Sequence, residues 1–198
     1  MERLTREFFD RDTVQVAREL LGKQIVRVLE DGTQLVCSIT ETEAYVGPVD
    51  KACHAYGYKR TPRTQTLFAP PGTAYVYLIY GMYHCLNFVT EREGEPCAVL
   101  IRGGKAVKNV GIIAENRFGC KENELTAYQR KNFLNGPGKL CKGLLLTRAH
   151  NGLDLLDPAG KLYVCDGPTP ECVHVGKRIG IDYAEEAIHF PWRFWSEP

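Results

Sequence analysis

Residues 34–45 read Gln34-Leu35-Val36-Cys37-Ser38-Ile39-Thr40-Glu41-Thr42-Glu43-Ala44-Tyr45, a run rich in residues that favour β-strands. Residues 23–29 have the same character, and Glu30-Asp31-Gly32-Thr33 between the two runs is typical of a hairpin turn. The two runs therefore predict an antiparallel hairpin. A period of two places on one face of its second strand the side chains of Leu35, Cys37, Ile39, Glu41, Glu43 and Tyr45.

Strands and helices are predicted on both sides of this hairpin. Upstream, Asp12 precedes apolar residues at helical spacing and Gly22 follows them, which predicts a capped amphipathic helix. Downstream, further strands are predicted at residues 75–80, 83–89, 97–102, 162–165, 173–175 and 179–183, and helices at residues 124–134 and 140–146. Strands without regular βαβ alternation predict an α+β fold, with one domain over residues 1–198 and a mostly antiparallel sheet.

The composition is that of a globular chain with its own core. The 198 residues are 44% hydrophobic and 25% charged. No apolar run is long enough to span a membrane, and the charged start Met1-Glu2-Arg3-Leu4-Thr5-Arg6-Glu7 is unlike a secretory signal, so we expect a cytosolic or nuclear protein. The eight cysteines include no CxxC pair. We therefore expect reduced, mostly buried thiols and no metal site.

The charge is small overall but unevenly distributed. The formal net charge is +1, yet residues 102–148 contain ten Lys or Arg against three Glu, and residues 51–63 contain four basic residues and no acidic one. A bipolar surface with one positive face is what a polyanion-binding protein needs. A solvated basic helix explains the same count, and both interpretations stay open.

Two carboxylates end the apolar face of the predicted strand. Glu41 and Glu43 alternate along it, about 6.6 Å apart, so they can have different roles at one cleft edge. A carboxylate among apolar and aromatic groups loses hydration, which raises its pKa and suits a general base. The alternative is that both side chains leave the sheet into solvent.

Tyrosines are concentrated in one short segment. Residues 75–83 read Tyr75-Val76-Tyr77-Leu78-Ile79-Tyr80-Gly81-Met82-Tyr83, with four tyrosines in nine positions. Core packing accounts for Tyr75. Tyr80 lies next to Gly81 at a predicted turn, where an exposed ring beside basic segments could stack on nucleobases or wedge between them.

Two other motifs carry weaker signals. Cys53 and His54 are adjacent, and adjacent side chains do not face each other in a strand or helix, so a hydrogen-bonding His54 is favoured over a catalytic dyad. The run Asn135-Gly136-Pro137-Gly138-Lys139-Leu140 lacks the spacing and hydroxyl of a nucleotide-binding phosphate loop. Lys139 could still receive one backbone phosphate, although a plain helix start explains it equally well.

Several of these motifs together resemble the alkyladenine (3-methyladenine) DNA glycosylase family, over nearly the whole chain. They are Glu41-Thr42-Glu43-Ala44-Tyr45, Ala52-Cys53-His54, Thr61-Pro62-Arg63, Pro71-Gly72-Thr73-Ala74 with the tyrosine-rich run that follows, and Asn135-Gly136-Pro137. The resemblance implies a single compact domain whose antiparallel sheet is curved, barrel-like and surrounded by helices.

The resemblance also implies roles for individual residues. Glu43 matches the general base, with Glu41 a neighbour. The residues that match the walls and floor of the pocket for the extruded base are Tyr45, His54, Tyr77, Asn87 and Arg102. Tyr80 matches the residue that takes the place of the base in the duplex, and the DNA-binding set is completed by Met82, Arg60, Arg63 and Lys139.

The implied activity is the excision of alkylated or deaminated purines of the 3-methyladenine, 7-methylguanine and hypoxanthine class from double-stranded DNA. A water activated by Glu43 would hydrolyse the N-glycosidic bond and leave an abasic site. No lysine stands within the motif as a Schiff-base nucleophile, so no lyase step is expected. We expect a monomer without cofactor or membrane partner, cytoplasmic and nucleoid-associated, or nuclear in a eukaryote.

Two other classes of protein remain as alternatives. The first is a non-catalytic protein that binds damaged or bent DNA with the same tyrosine wedge and basic surface, for which no carboxylate is needed. The second is a thiol or zinc hydrolase built on Cys53 and His54, which the absence of metal-ligand spacing disfavours.

Overall fold

The predicted hairpin forms the centre of one antiparallel sheet in the computed structural model, which describes residues 2–197. Within that range the sheet has eight strands: β1 (Gln24–Val28), β2 (Gln34–Val46), β3 (Ala74–Ile79), β4 (Tyr83–Thr90), β5 (Cys97–Lys108), β6 (Leu162–Cys165), β7 (His174–Gly176) and β8 (Arg193–Trp195). The helices over the same residues are α1 (Arg6–Phe9), α2 (Thr13–Glu19), α3 (Val110–Phe118), α4 (Ala127–Lys131) and α5 (Pro137–Gly143). The α+β class and the antiparallel sheet are confirmed.

The strands follow the order β3-β4-β5-β2-β1-β6, and β8 joins β2 to β7. The strand β2 is the longest. One of its edges pairs with β5, and the other pairs first with β1 over residues 34–38 and then with β8 over residues 41–43. Among residues 2–197 no pairing joins β3 to β6, so the sheet is not closed and the barrel-like shape is not confirmed.

The core lies between the sheet and the helices. The helix α2 begins as predicted, because the Asp12 side chain accepts a hydrogen bond from the Gln15 N–H at 2.8 Å. Gly22 follows with a left-handed backbone at φ 85°, where glycine has no steric cost. The buried side chains of Val16 and Ala17 pack in the main hydrophobic cluster beneath β2. No helix within residues 2–197 is long and apolar enough to cross a membrane.

Several predicted boundaries are wrong. The strand expected to end at residue 102 continues to Lys108, because Gly103 and Gly104 remain paired with β2. The helix α3 was not predicted, and the helix expected at residues 124–134 shortens to α4, which begins where Thr126 and Gln129 cap each other. The helix expected at residues 140–146 begins earlier, at the proline of α5, a residue favoured in the first helical turn.

The end of the chain differs most from the expectation. Residues 179–183 form bends and turns instead of a strand, because the Ile179 N–H donates to a carboxylate and leaves the sheet ladder. The last strand, β8, was not predicted, and it pairs with β2 beside Glu43. Both features bring the end of the chain against the centre of the sheet.

Candidate active site

Glu43 lies at the most enclosed position of the sheet. On one side its backbone pairs with Leu100 of β5 and on the other with Arg193 of β8. The side chain is 0% exposed, so the alternative in which it leaves the sheet into solvent is wrong. Burying a carboxylate costs free energy unless hydrogen bonds replace the water that it loses.

A bulge in β2 turns Glu43 away from the main core. The pairing of β2 with β5 shifts register between Ile39 and Glu41 and again before Thr42, which interrupts the period of two. Beyond the bulge Thr42 faces the core and donates its hydroxyl to the Ala17 carbonyl at 2.7 Å. Before the bulge Leu35, Cys37 and Ile39 face the main core, and after it Thr42 and Ala44 do. The prediction that Glu43 shares a face with Leu35, Cys37 and Ile39 is therefore wrong.

Three groups bind the two carboxylate oxygens of Glu43. The Tyr45 hydroxyl donates to Oε2 at 2.8 Å, and the Ile179 N–H donates to Oε1 at 2.8 Å. Arg102 Nε lies 3.4 Å from Oε1, and its Nη1 donates to Oε2 at 3.5 Å. Burial raises the pKa of Glu43, while Arg102, the Ile179 N–H and the Tyr45 hydroxyl oppose the rise in that order. A raised pKa with fixed partners is typical of a general base.

Glu41 has a different environment. Its Oε1 accepts hydrogen bonds from Arg102 Nε at 3.0 Å and from Arg193 Nε at 2.6 Å. Glu41 therefore holds two arginines in place beside Glu43. The two carboxylates thus have different partners, and Arg193 was not identified from the sequence.

An aromatic cavity of about 400 Å³ opens in front of Glu43. Its wall residues include Tyr45, His54, Tyr75, Tyr77, Asn87 and Arg102. The rings of His54 and Tyr77 meet edge to face with centroids 4.8 Å apart, and Tyr75 and Tyr77 lie 5.3 Å apart. Tyr45, Arg102 and Ile179 belong to the lining and also contact Glu43, so the carboxylate lies directly behind the cavity wall.

His54 is an uncharged member of this wall. Its Nδ1 lies 3.2 Å from the Tyr75 hydroxyl, and burial, followed by the charge of Arg63, lowers its pKa to about 4. Cys53 points elsewhere, with Sγ 3.8 Å from the Pro96 carbonyl, and burial raises the pKa of its thiol to about 12. The prediction against a Cys53–His54 dyad is confirmed. Residues 2–197 contain no cluster of three or more residues suited to hold a metal ion.

Asn87 lines the cavity and also bonds to the backbone. Its Nδ2 donates to the Tyr75 carbonyl at 3.1 Å and to the Cys85 carbonyl at 3.4 Å. These two bonds orient the amide so that Oδ1 is left for the cavity side. The Asn87 side chain therefore bonds to the backbone and also lines the cavity, and its part in recognising the base remains a prediction.

Tyr80 and Met82 project from the tip of the β3–β4 hairpin. Tyr80 is 82% exposed and Met82 is 65% exposed. Tyr80 and Gly81 both have left-handed backbones, at φ 54° and 69°, and the Met82 N–H closes the turn on the Ile79 carbonyl at 3.2 Å. Tyr80 also lines the cavity mouth. The predicted turn and the exposed ring are confirmed.

The basic residues assigned to DNA binding lie in three different environments. Arg60 stacks over the Phe68 ring at 4.1 Å. Arg63 stacks over Tyr77 at 5.3 Å, with Nη2 3.5 Å from His54 Nε2. Lys139 Nζ donates to the Asn132 and Asn135 side chains at 2.9 Å each. The assignment of these residues to DNA remains a prediction.

Besides Arg193, two further groups of the site were not identified from the sequence. The Ile179 N–H reaches Glu43 across 136 positions of the chain, and no local pattern indicates such a contact. Arg178, next to it, is a buried arginine that lies just before the predicted strand at residues 179–183. The only local signal was Gly180, whose left-handed backbone at φ 73° ends an extended run.

Comparisons with known proteins identify the family of the chain. The family model for methylpurine-DNA glycosylase (MPG) matches residues 7–198. A curated relative from Clostridium novyi (strain NT) is 48% identical over 195 residues, which cover 98% of this chain and 95% of the relative. One from Clostridium perfringens (strain 13 / Type A) is 49% identical over 98% of this chain and 95% of the relative. One from Desulfitobacterium hafniense (strain Y51) is 47% identical over 100% of this chain and 96% of the relative.

All three relatives carry the name "Putative 3-methyladenine DNA glycosylase". The family model covers the whole sheet, the cavity and the segment around Ile179. The chain belongs to the methylpurine-DNA glycosylase family.

Proposed function

We propose that this DNA glycosylase excises alkylated or deaminated purines from double-stranded DNA by hydrolysis with a Glu43-activated water. The observation that carries the proposal is the buried Glu43 behind a cavity of about 400 Å³ with tyrosine walls, which has room for a purine. In a duplex the C1′ atom of a stacked nucleotide is closed to water, so the nucleotide must first leave the stack.

Tyr80 is the wedge for this step. Its ring is exposed at a rigid turn on the cavity mouth, so it can fill the space that the extruded nucleotide leaves. Flipping costs a few kcal/mol, and an inserted aromatic ring offsets part of that cost. Met82 would pack beside it against the flanking nucleotide.

The extruded base enters the cavity between Tyr45, His54 and Tyr77. Stacking on electron-rich rings favours cationic purines, such as those methylated at N3 or N7, by about 0.5 to 2 kcal/mol. Guanidinium groups already lie over these rings, Arg178 at 4.7 Å from Tyr45 and Arg63 at 5.3 Å from Tyr77. Because these cations occupy the two rings, the preference for charged lesions is moderated, and neutral hypoxanthine remains a substrate.

Glu43 acts on the water and on the sugar. The water oxygen attacks C1′ as the bond to the base nitrogen breaks, and the water proton passes to Glu43. The transition state resembles an oxocarbenium ion, which the carboxylate also stabilises electrostatically. A cationic purine leaves as a neutral base and needs little acid help. The cavity lining within residues 2–197 contains no lysine, which supports hydrolysis without a lyase step.

The experiment is base release from duplex DNA that carries 3-methyladenine, 7-methylguanine or hypoxanthine, with EDTA present. We expect free base and an intact strand with an abasic site. Binding without release identifies the non-catalytic DNA-binding alternative, and release that EDTA abolishes identifies a metal-dependent hydrolase. Strand cleavage that borohydride traps as a covalent adduct would contradict the absence of a lyase step.

A further inference from the structure

Arg178 and Asp50 form a buried ion pair next to Glu43. Both side chains are 0% exposed, and the guanidinium donates from Nη1 to Oδ2 at 2.5 Å and from Nη2 to Oδ1 at 2.8 Å. A buried pair of this kind contributes little stability compared with apolar residues of the same volume. Its presence therefore calls for a second role.

The same guanidinium joins four parts of the chain. Nη1 also donates to the Ala44 carbonyl at 2.8 Å, and Nη2 also lies 3.3 Å from the Ala187 carbonyl. Cζ lies 4.7 Å above the Tyr45 ring and 5.2 Å from the Trp192 ring. Asp50 in turn accepts a hydrogen bond from the Ala52 N–H at 3.0 Å.

These contacts surround the groups that bind the carboxylate. Ala44 lies between Glu43 and Tyr45 in β2, so the bond to its carbonyl fixes the strand at that point. Ile179 follows Arg178 directly, so holding Arg178 on β2 also holds the Ile179 N–H on Glu43 Oε1. The Tyr45 ring is held against the guanidinium while its hydroxyl donates to Oε2.

We propose that Arg178, fixed by Asp50, is a positioning residue of the excision reaction, which places the Ile179 N–H and the Tyr45 hydroxyl on Glu43. The inference rests on the proposed function, because it concerns the same carboxylate. Arg178 is absent from the cavity lining, so it acts through other groups. Displacing a catalytic group by 1 Å costs about 100-fold in rate, so a clamp of this kind has a measurable effect.

A pH profile separates positioning from stability. The charged and titratable groups that face Glu43 are Arg102 of β5, Glu41 and Tyr45 of β2, Arg193 of β8, Cys85 of β4 and Arg178 itself. The Ile179 N–H and the Tyr45 hydroxyl both lower the pKa of Glu43. Removing them raises that pKa further, and the acid limb of the rate profile then moves to higher pH.

The test compares Arg178→Lys with wild type, using the full chain and steady-state initial rates of hypoxanthine release with duplex DNA in excess. Lysine keeps the charge but cannot make the forked contact with Asp50, Ala44 and Ala187. We expect kcat to fall about 10- to 100-fold, with KM changed less than about threefold, and the acid limb to move to higher pH. Arg11→Lys, in an exposed pair with Glu19, is the matched control and keeps wild-type kcat.

A second variant covers the case in which Arg178→Lys does not fold. Arg178→Met with Asp50→Leu removes both charges and keeps the volume, a replacement that buried pairs often tolerate. We expect a folded protein with the same loss in kcat and the same pH shift. A folded variant with wild-type kcat and pH profile overturns the inference. A loss of activity that is fully explained by the fraction of unfolded protein also overturns it. Wild-type protein that releases no base rejects the proposed function instead.

Discussion

Glu43 shows how a single residue combines stability and chemistry. Burial raises its pKa above the ordinary value of 4.5 for a glutamate, so the folded state prefers the protonated form more than the unfolded chain does. The stability associated with Glu43 is therefore fully present below the unfolded pKa and is lost as pH rises through the folded pKa. The proposed reaction uses the charged form of Glu43, and burial makes that form costly to the stability of the fold.

Glu43→Gln should therefore abolish base release and stabilise the fold. The amide keeps the shape without basicity, so we expect the rate to fall about 100-fold or more, while binding to an abasic-site analogue survives. The gain in melting temperature over wild type should grow as pH rises from the ordinary glutamate pKa of 4.5 towards the raised pKa of the buried Glu43. Release of free base measures the loss of rate, affinity for the abasic-site analogue measures the retained binding, and thermal unfolding measures the gain in stability.

Glu41→Gln is the matched control for this variant. It weakens the hydrogen bonds to Arg102 and Arg193 and leaves Glu43 ionisable, so its effect on rate should be milder. Retention of more than about a tenth of the wild-type rate by Glu43→Gln would show that another group activates the water.

Asn87 is the second residue whose role can be measured directly. Its Nδ2 is held by the Tyr75 and Cys85 carbonyls, so the amide is fixed in the cavity wall, and the proposed role of Asn87 is to exclude the exocyclic amino group of guanine. Overlap and an unpaired polar group cost about 1 to 3 kcal/mol, which gives a tenfold to hundredfold bias against guanine. Asn87→Ser should therefore admit undamaged guanine.

The measurement is the rate of hypoxanthine release and of guanine release by wild type and Asn87→Ser. The serine cannot reproduce both hydrogen bonds to the backbone, so a somewhat lower melting temperature is expected. The comparison is made where both proteins are fully folded. An unchanged ratio of the two rates would contradict a role of Asn87 in selectivity.

At the scale of an element, the β3–β4 hairpin carries Tyr80, the proposed wedge, on a strained turn. Tyr80 has a left-handed backbone at φ 54°, a conformation that costs a side chain about 1 to 2 kcal/mol relative to glycine. Strain of this kind persists at functional sites, where the side chain itself is needed. The two adjacent strands fix the turn, so the ring is presented without a large ordering cost.

Two substitutions distinguish the effect of the strained backbone on stability from the effect of the Tyr80 ring on base flipping. Tyr80→Ala should weaken the flipped state by about 1 to 3 kcal/mol with little change in melting temperature, because the ring is exposed. Tyr80→Gly should lose the wedge equally but unfold at a higher temperature than Tyr80→Ala, because glycine relieves the left-handed backbone. A fluorescent base at the lesion reports flipping. Unchanged occupancy in both variants would remove Tyr80 from the wedge role.

At the scale of the whole molecule, charge is concentrated near the hairpin in spite of a net charge of +1. Met82 shares a groove with Lys142, and Tyr77 shares another with Arg63 and Arg148. Lys142 and Arg148 are exposed. The positive residues on both sides of the cavity are suited to the two phosphate backbones of a duplex.

Lys142→Gln and Arg148→Gln should each weaken DNA binding and reduce its salt dependence. The slope of log K against log salt concentration should become less negative by about 1 for each phosphate that the variant no longer neutralises, for damaged and undamaged DNA alike. Arg18→Gln on α2 is the control with an unchanged slope. A slope that remains at the wild-type value in Lys142→Gln and Arg148→Gln would place the DNA on another face.

The sequence by itself determined the local features. The Gln34–Val46 strand, its hairpin with Gln24–Val28 and the exposed turn at Tyr80 follow from propensity and turn chemistry over a few residues. The family resemblance also rested on contiguous motifs, and the family is confirmed. These properties depend on neighbours within about four positions, which is the range that a pattern reports.

The tertiary structure alone decided how the site is assembled. The bulge that turns Glu43 away from the main core depends on the register with β5, and a one-residue shift exchanges the two faces of a strand. The Ile179 N–H and Arg178 reach Glu43 and Ala44 across 136 and 134 positions of the chain, from the start of a predicted strand and from the residue before it. Burial of Glu43 likewise comes from strands on both sides. Such contacts arise from packing between distant segments, which leaves no periodic trace in the sequence.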